Sequence, residues 1–186
     1  MDKTEDFKTK QTIMKALQLI SLTTLLLAGC HKASNAKTEL ETMIQKVSSE
    51  FSEVPQISTT DLAAWLADPA RVRPILLDVR EPDEYAVSHL AEAIRVSPDA
   101  TADQLIDKID FSRPIVLYCS VGYRSSALAR RLIAARAEQA MNLEGSIFKW
   151  ANEGRPMVRD GEATDKAHPY NRKFGRMLKE PLWAYD

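Results

Sequence analysis

Short apolar runs alternate with segments of helical periodicity between residues 56 and 152, and this alternation limits the fold more than any other feature of the sequence. The segments Ile75–Val79 and Pro114–Tyr118 are largely apolar, as is typical of parallel strands that are buried on both faces. Together with Gln56–Ser58, Ala93–Val96 and Ala140–Leu143 they make five predicted strands. Strands that alternate with helices predict an α/β domain with three layers, in which a parallel sheet of about five strands carries helices on both faces.

Helices are predicted around these strands from the spacing of apolar residues and from capping residues. An amphipathic helix over residues 38–52 leads into the domain, and Thr59 or Thr60 is expected to cap the next helix. Further helices are predicted over Pro82–Val87, around Leu105–Ile109, over Ser125–Ala137 and over Ile147–Asn152. After Val158 the chain is polar but contains aromatic residues, so we expect the extension 159–186 to wrap the domain 54–158. A tail that binds a partner is the alternative.

The N-terminal region contains an uncharged apolar stretch from Ala16 to Gly29. Its length as a helix would be about 21 Å, which is short of the roughly 30 Å hydrocarbon core of a bilayer. This length favours the apolar part of an export signal over a spanning helix, with Lys15 as its basic flank and with translation starting at either Met1 or Met14.

The segment Leu27–Cys30 resembles the lipobox of bacterial lipoproteins. The resemblance implies that residues 1–29 are removed as a signal peptide, that Cys30 is lipidated, and that residues 30–53 form a tether and an amphipathic helix. It places the protein in the bacterial cell envelope, anchored to the membrane and facing the periplasm. His31 after the cysteine favours the outer membrane. An ordinary cleaved signal with a chance cysteine, or a buried apolar helix, is the alternative.

Charge and cysteine content exclude several classes of protein. The chain of 186 residues has a net charge of −1, so no basic surplus points to nucleic acid. Its two cysteines, Cys30 and Cys119, are too few for a scaffold that depends on several disulfides. A single disulfide between these two cysteines is the alternative.

Cys119 lies where a predicted strand ends, shortly before a helix expected to begin near Ser125. Ligands of open α/β sheets bind beyond the carboxyl ends of the strands. Gly122 allows the connecting loop to turn its backbone N–H groups inward, and these groups and the helix N-terminus stabilise an anion. With the positive charge of Arg124 nearby, the sequence predicts a thiol of depressed pKa and a nucleophilic thiolate. The alternative is a buried cysteine that acts as a small hydrophobic residue.

Cys119–Ser125 resembles the active-site loop of the rhodanese family, in which C-x-x-G-x-R-[ST] is a frequent pattern. Four further segments match motifs of that family in order and spacing: residues 77–85, 88–94, 143–150 and 154–156. The resemblance covers about residues 54–158. Ser88, Glu92 and Ser146 stand where the family pattern has glycine, which puts the local turns in doubt.

The resemblance implies a thiosulfate sulfurtransferase of the rhodanese type. Cys119 would take sulfane sulfur from thiosulfate or a similar donor as a persulfide, and a thiol or cyanide would accept it. The residues implied in donor and persulfide binding are Ser120, Val121, Gly122, Tyr123, Arg124 and Ser125, of which Arg124 would orient the donor or brace the loop.

The family positions matched by Asp78 and Arg80 imply structural support through ion pairs beneath the site. His89 is expected to be a hydrogen-bonded structural histidine, whereas His31 and His168 lie elsewhere in the sequence. No cofactor and no metal site are expected.

Two other functions stay open at this point. The first is a persulfide carrier, or a redox-sensing or binding module, that does not turn over. The second is a cysteine phosphatase built on the same fold. Those phosphatases place five residues between the cysteine and the arginine, whereas four separate Cys119 from Arg124 here. The tighter loop favours a single sulfur atom over a phosphoryl group.

Overall fold

A computed structural model describes residues 37–186. The predicted signal peptide, Cys30 and the start of the tether lie outside these described residues. In chain order the principal elements are α1 (Glu39–Glu50), β1 (Gln56–Ile57), α2 (Thr59–Ala67), β2 (Ile75–Asp78), α3 (Pro82–Val87), β3 (Ile94–Arg95), α4 (Ala102–Ile106), β4 (Ile115–Tyr118), α5 (Tyr123–Ala134), β5 (Ala140–Leu143) and α6 (Ser146–Asn152). The rest of the chain, which includes the C-terminal extension 159–186, adds β6 (Met157–Arg159), β7 (Glu162–Thr164), α7 (Arg172–Gly175) and a 3₁₀ helix (Glu180–Leu182).

The five predicted strands form one parallel sheet in the order β1-β5-β4-β2-β3, which confirms the predicted fold class. Strand β4 lies at the centre, where Leu117 pairs with Leu77 of β2 on one side and with Asn142 of β5 on the other. The carboxyl end of this central strand leads directly to Cys119.

Two hydrophobic clusters cover opposite faces of the sheet, because successive side chains of a strand point to opposite sides. Ile115 and Leu117 of β4 belong to the cluster that contains Val47 of α1 and Leu128 of α5. Val116 and Tyr118 of the same strand belong to the second cluster, with residues of α2, of α6 and of the C-terminal extension. The sheet therefore has helices on both faces, as predicted.

Several predicted helix limits were wrong by a few residues. Ser58, and not Thr59 or Thr60, caps α2: its hydroxyl accepts a hydrogen bond from the amide of Asp61 at 3.0 Å. Helix α5 begins at Tyr123 rather than near Ser125, because Gly122 adopts φ +108° and turns the chain into the helix at once. Its end at Ala134 precedes Arg136, which has φ +73°.

The C-terminal extension packs on the domain, as expected. Strands β6 and β7 pair as an antiparallel hairpin, and the amides of Val158 and His89 each donate to the carbonyl of the other residue. Ala167, Met177 and Leu178 are buried in the cluster that also holds Leu62 and Trp150. Over residues 37–186 no helix has the length and apolarity needed to cross a bilayer.

Two of the positions where glycine is replaced keep the backbone conformation that glycine favours. Glu92 has φ +64° and Ser146 has φ +51°, so both lie in the left-handed region. Such a residue costs roughly 1–2 kcal/mol of conformational energy. The turns are therefore retained at some cost in stability, whereas Ser88 is extended with φ −173°.

Candidate active site

Cys119 is the first residue of a tight loop between β4 and α5, and only 1% of its surface is exposed. Its side chain belongs to the core cluster that contains Leu117. Its sulfur accepts a hydrogen bond from the amide of Gly122, with an N–Sγ distance of 3.2 Å. This contact distinguishes the site from that of an inert buried cysteine, because the sulfur faces a polar group at the start of a helix.

The surroundings of Cys119 favour its thiolate form. Burial alone would raise the pKa of the thiol, but the positive charge of Arg124 and hydrogen bonds from Ser125 and Gly122 outweigh burial, so that the pKa lies below its ordinary value. The N-terminus of α5 adds its partial positive charge on the same side. A larger fraction of Cys119 is therefore nucleophilic near neutral pH than of an ordinary cysteine.

Arg124 is held by a carboxylate from a different helix. Its Nη1 and Nη2 donate to the two carboxylate oxygens of Glu84 at 2.8 Å and 2.9 Å, and Nη2 also donates to Oγ of Ser120 at 2.9 Å. The Ser120 hydroxyl in turn donates to Glu84 at 2.7 Å. Arg124 was expected either to orient the donor or to brace the loop. These contacts are those of a residue that braces the loop.

Glu84 is ionised in this network although it is 2% exposed. Burial would raise the pKa of its carboxyl group, but hydrogen bonds and charge from Arg124, together with the bond from Ser120, lower the pKa overall. Glu84 is a residue of this candidate site that sequence reasoning missed. Its presence in the matched motif of residues 77–85 was the available signal.

The other side of the loop is held by β5 and by the start of α6. The Ser125 hydroxyl donates to Oδ1 of Asn142 at 2.7 Å, and the amide of Cys119 donates to Oγ of Ser146 at 3.1 Å. Backbone amides of Ile147 and Phe148 donate to the carbonyls of Cys119 and Ser120, each at 3.1 Å. Cys119 is thus fixed through its own backbone as well as through its sulfur.

Asn142 and Ser146 were also missed as site residues. Asn142 interrupts an apolar strand, and such a buried polar residue signals a specific partner. Ser146 counted only as a departure from the family pattern, but its hydroxyl is what binds the amide of Cys119.

Asp78 and Arg80 lie behind the site as a buried ion pair, with both side chains 0% exposed. Nε and Nη2 of Arg80 donate to the Asp78 carboxylate, and Nη2 also donates to the carbonyl of Ser88. Tyr118 lies next to this pair, and its hydroxyl accepts a hydrogen bond from the amide of Leu90 at 3.1 Å. These contacts agree with a structural role for the Asp78–Arg80 ion pair. That the ion pair supports activity stays a prediction.

The three histidines differ in what the structure says of them. His89 stacks on Tyr85 with ring centroids 3.9 Å apart, and its Nδ1 lies 3.2 Å from the carbonyl of Tyr85, as fits a structural residue. His168 lies in the C-terminal extension, where burial lowers its pKa. His31 is outside the described residues. In the part of the chain from Lys37 onwards, no cluster of three or more acidic, histidine or cysteine side chains is placed to bind a metal ion.

Two tyrosines flank the loop on the outside. Tyr123 is 41% exposed, packs edge to face on Phe51 at 5.1 Å, and donates a hydrogen bond to Glu50 of α1. Tyr170 of the C-terminal extension places its ring 4.9 Å from the guanidinium carbon of Arg124. Residues outside the matched motifs, Phe51 and Tyr170, therefore contact side chains of the loop.

Replacing Arg124 by glutamine is expected to raise the pKa of the Cys119 thiol, because the thiolate loses its nearest positive charge. Each pKa unit lowers the thiolate fraction at neutral pH about tenfold. The rate of alkylation by iodoacetamide should therefore fall by about that factor per unit, and its pH profile should move to higher pH. The matched control is Arg130→Gln on the same helix, where the arginine lies over Phe51 and pairs with Glu53. An unchanged profile in Arg124→Gln would refute this origin of the pKa shift.

Residues 58–153 match the family described as the rhodanese-like domain. A protein named sulfurtransferase from Allochromatium vinosum is 31% identical over 105 residues, which are 56% of this chain and 95% of the relative. Thiosulfate sulfurtransferase GlpE of Coxiella burnetii is 29% identical over 76 residues, which are 41% of this chain and 70% of the relative.

Proteins that are similar to this chain also carry other names. A tRNA uridine(34) hydroxylase from Erwinia tasmaniensis is 24% identical over 134 residues, 69% of this chain, but the match spans only 37% of that protein. Among solved structures, the rhodanese-like domain of an Anabaena protein superposes with a TM-score of 0.51 at 25% identity, covering 56% of this chain and 79% of that one.

Proposed function

This chain belongs to the rhodanese-like family, and from that premise we propose that it moves sulfane sulfur from thiosulfate or a similar donor to a thiol acceptor through a persulfide on Cys119. The relatives that are named sulfurtransferases support this activity at the level of the family. The single observation that carries the proposal is the hydrogen bond from the amide of Gly122 to the sulfur of Cys119 at the start of α5, and the lowered pKa of the thiol agrees with it.

The proposed reaction has two displacements. In the first, the Cys119 thiolate attacks the outer sulfur of the donor. A bond forms between the two sulfurs, and the bond to the sulfonyl sulfur breaks, with its electron pair leaving as sulfite. In the second, the thiolate of an acceptor attacks the terminal sulfur of the persulfide, and Cys119 leaves as a thiolate. Amide groups of the loop would stabilise the anionic terminal sulfur, as backbone donors stabilise other anions.

A persulfide carrier that does not turn over is the second candidate. The observation in its favour is the 1% exposure of Cys119, since a nearly enclosed sulfur admits a small donor more readily than a bulky acceptor. The phosphatase alternative is weakened by the contacts of Arg124, because Glu84 occupies the two terminal nitrogens that a phosphoryl group would need.

Mass spectrometry of the full chain after treatment with thiosulfate tests the proposal. We expect the intact protein to gain one sulfur atom, and digestion should place this atom on the peptide that contains Cys119. Addition of cyanide should remove it as thiocyanate, and repeated cycles would distinguish a sulfurtransferase from a carrier. A protein that gains no sulfur, or gains it only on the peptide with Cys30, would contradict the proposal.

The lipid anchor on Cys30 and a location in the cell envelope stay proposals that rest on the N-terminal sequence. The apolar stretch that ends in Leu27–Cys30 supports them. An envelope location would place the Cys119 thiol in a compartment where cysteines are readily oxidised.

A further inference from the structure

The C-terminal extension brings an aromatic ring to the loop that carries Cys119. The ring of Tyr170 lies 4.9 Å from the guanidinium carbon of Arg124. The charge of this guanidinium group in turn acts on the Cys119 sulfur, where it lowers the pKa of the thiol. Tyr170 itself lies beyond residues 58–153, the segment that matches the family. The contact is therefore a feature of this chain and not of the matched motifs.

Tyr170 has a firm support, although 44% of its own surface is exposed. Its amide donates to Nδ1 of His168 at 3.0 Å, and the side chain of the next residue, Asn171, caps α7. The chain is anchored in the core on both sides of this turn, since Ala167 is 0% exposed and Leu178 is 2% exposed. Tyr170 has φ +63°, a conformation that a bulky residue adopts only where its surroundings hold it. The extension therefore holds Tyr170 in one place rather than as part of a loose tail.

The ring of Tyr170 lies on the side of the loop from which ligands arrive. The Cα–Cβ bonds of a helix tilt toward its N-terminus, so the side chain of Arg124 in the first turn of α5 projects toward the carboxyl end of β4. Ligands of open α/β sheets bind beyond that end. The ring that covers this side chain also packs edge to face on Phe174, with ring centroids 5.4 Å apart. A fixed aromatic ring thus takes up space beside Cys119.

On the basis of the proposed function, we infer that Tyr170 determines specificity in the second displacement, by excluding bulky thiol acceptors from the Cys119 persulfide. In this step the acceptor thiolate attacks the terminal sulfur, the bond between the two sulfurs breaks, and Cys119 leaves as a thiolate. The attacking sulfur must come in line with the bond that breaks, so the rest of the acceptor occupies the space beyond the loop. A compact acceptor fits beside the ring, whereas a bulky one meets it. Proteins select partners by such clashes as well as by attraction.

Two uncharged thiols that differ in bulk, 2-mercaptoethanol and 1-thio-β-glucose, are the probes. The full chain is first loaded with sulfur by thiosulfate and freed of the excess donor. The measurement is the second-order rate constant for the loss of sulfur from the Cys119 persulfide to each thiol. Dividing the constant for thioglucose by that for mercaptoethanol, and comparing this ratio between variants, removes the intrinsic reactivity of the two thiols.

Substitutions of Tyr170 should change this ratio in opposite directions. Tyr170→Ala removes the ring and should raise the ratio severalfold, whereas Tyr170→Trp enlarges the ring and should lower it. If the alanine variant does not fold, the sign of the change in the tryptophan variant decides alone. The matched control is Ile106→Ala, which removes an exposed apolar side chain from α4, the helix before the amino end of β4, and should leave the ratio as it is.

Two outcomes would overturn the inference. One is a ratio that stays the same in both Tyr170 variants. The other is a ratio that falls in Tyr170→Ala, which would make the ring a surface that binds bulky acceptors. In either case, a Cys119 persulfide that forms and passes on its sulfur would still support the proposed function. Failure of the parent protein to form this persulfide would contradict both.

Discussion

Replacing Cys119 by serine is expected to abolish persulfide formation and sulfur transfer while leaving the fold intact. The serine hydroxyl can accept the hydrogen bond from Gly122 that the sulfur accepts now. It does not ionise near neutral pH, and an oxygen nucleophile there would form no persulfide. The free energy of unfolding should change by only about 1 kcal/mol, since the substitution changes one atom without opening a cavity. Intact mass after thiosulfate treatment and a urea unfolding curve check the two parts.

Cys30→Ser is the matched control, because it removes the second cysteine of the chain. This variant should take up one sulfur atom to the same extent as the parent protein. Uptake of sulfur by Cys119→Ser, or its loss in Cys30→Ser, would show that another group carries the sulfur. A large loss of stability in Cys119→Ser would show that the thiolate is needed for the fold as well.

The sequence predicted the sheet because its strands are local features. The apolar runs that became β2 and β4 are buried between two layers, and their composition alone distinguishes them from surface segments. The location of Cys119 at the end of the central strand followed from the same runs. What could not be predicted was the start of α5 at Tyr123, because it depends on the left-handed conformation of Gly122 and not on helix propensity.

The partners of the loop were also beyond sequence reasoning. Glu84 and Arg124 are 40 residues apart, and their charges come together only because β2 pairs beside β4, whose carboxyl ends lead to α3 and α5. Ser125 meets Asn142 for the same reason, through the pairing of β5 beside β4. Ser146 shows the limit of pattern matching: compared with a glycine pattern it is a departure, whereas in the fold its hydroxyl binds the amide of Cys119. Periodicity predicts elements, but the contacts between elements require their arrangement in space.

Replacing Glu84 by alanine is expected to lower the free energy of unfolding by about 3 kcal/mol, because it leaves Arg124 without its carboxylate partner. Removing one member of a buried ion pair costs about 3–5 kcal/mol. The lower end applies because the Arg124 side chain is 23% exposed and water reaches part of it. The Ser120 hydroxyl and the amide of Glu81 lose an acceptor as well. Urea unfolding, with the slope compared between variants, measures the loss.

Two controls separate burial from pairing. Glu53→Ala removes the carboxylate of a Glu–Arg pair whose side chains are 50% and 47% exposed, and should cost far less stability than Glu84→Ala. Glu84→Gln keeps hydrogen-bonding atoms but not the charge, and its cost should lie between the two alanine variants. If Glu84→Ala were no more costly than Glu53→Ala, the buried network would not stabilise the loop.

The pH dependence of the same loss gives a test of its electrostatic origin. The folded-state pKa of Glu84 lies below its ordinary value, so the stabilisation by this carboxylate is fully present above the unfolded pKa of about 4.3 and is lost as pH falls through the folded pKa. The difference in stability between the parent protein and Glu84→Ala should therefore be constant near neutral pH and shrink in acid. A difference that stays the same at every pH would mean that Glu84 acts by filling space. Arg124 would then be held beside Cys119 by something other than its charge.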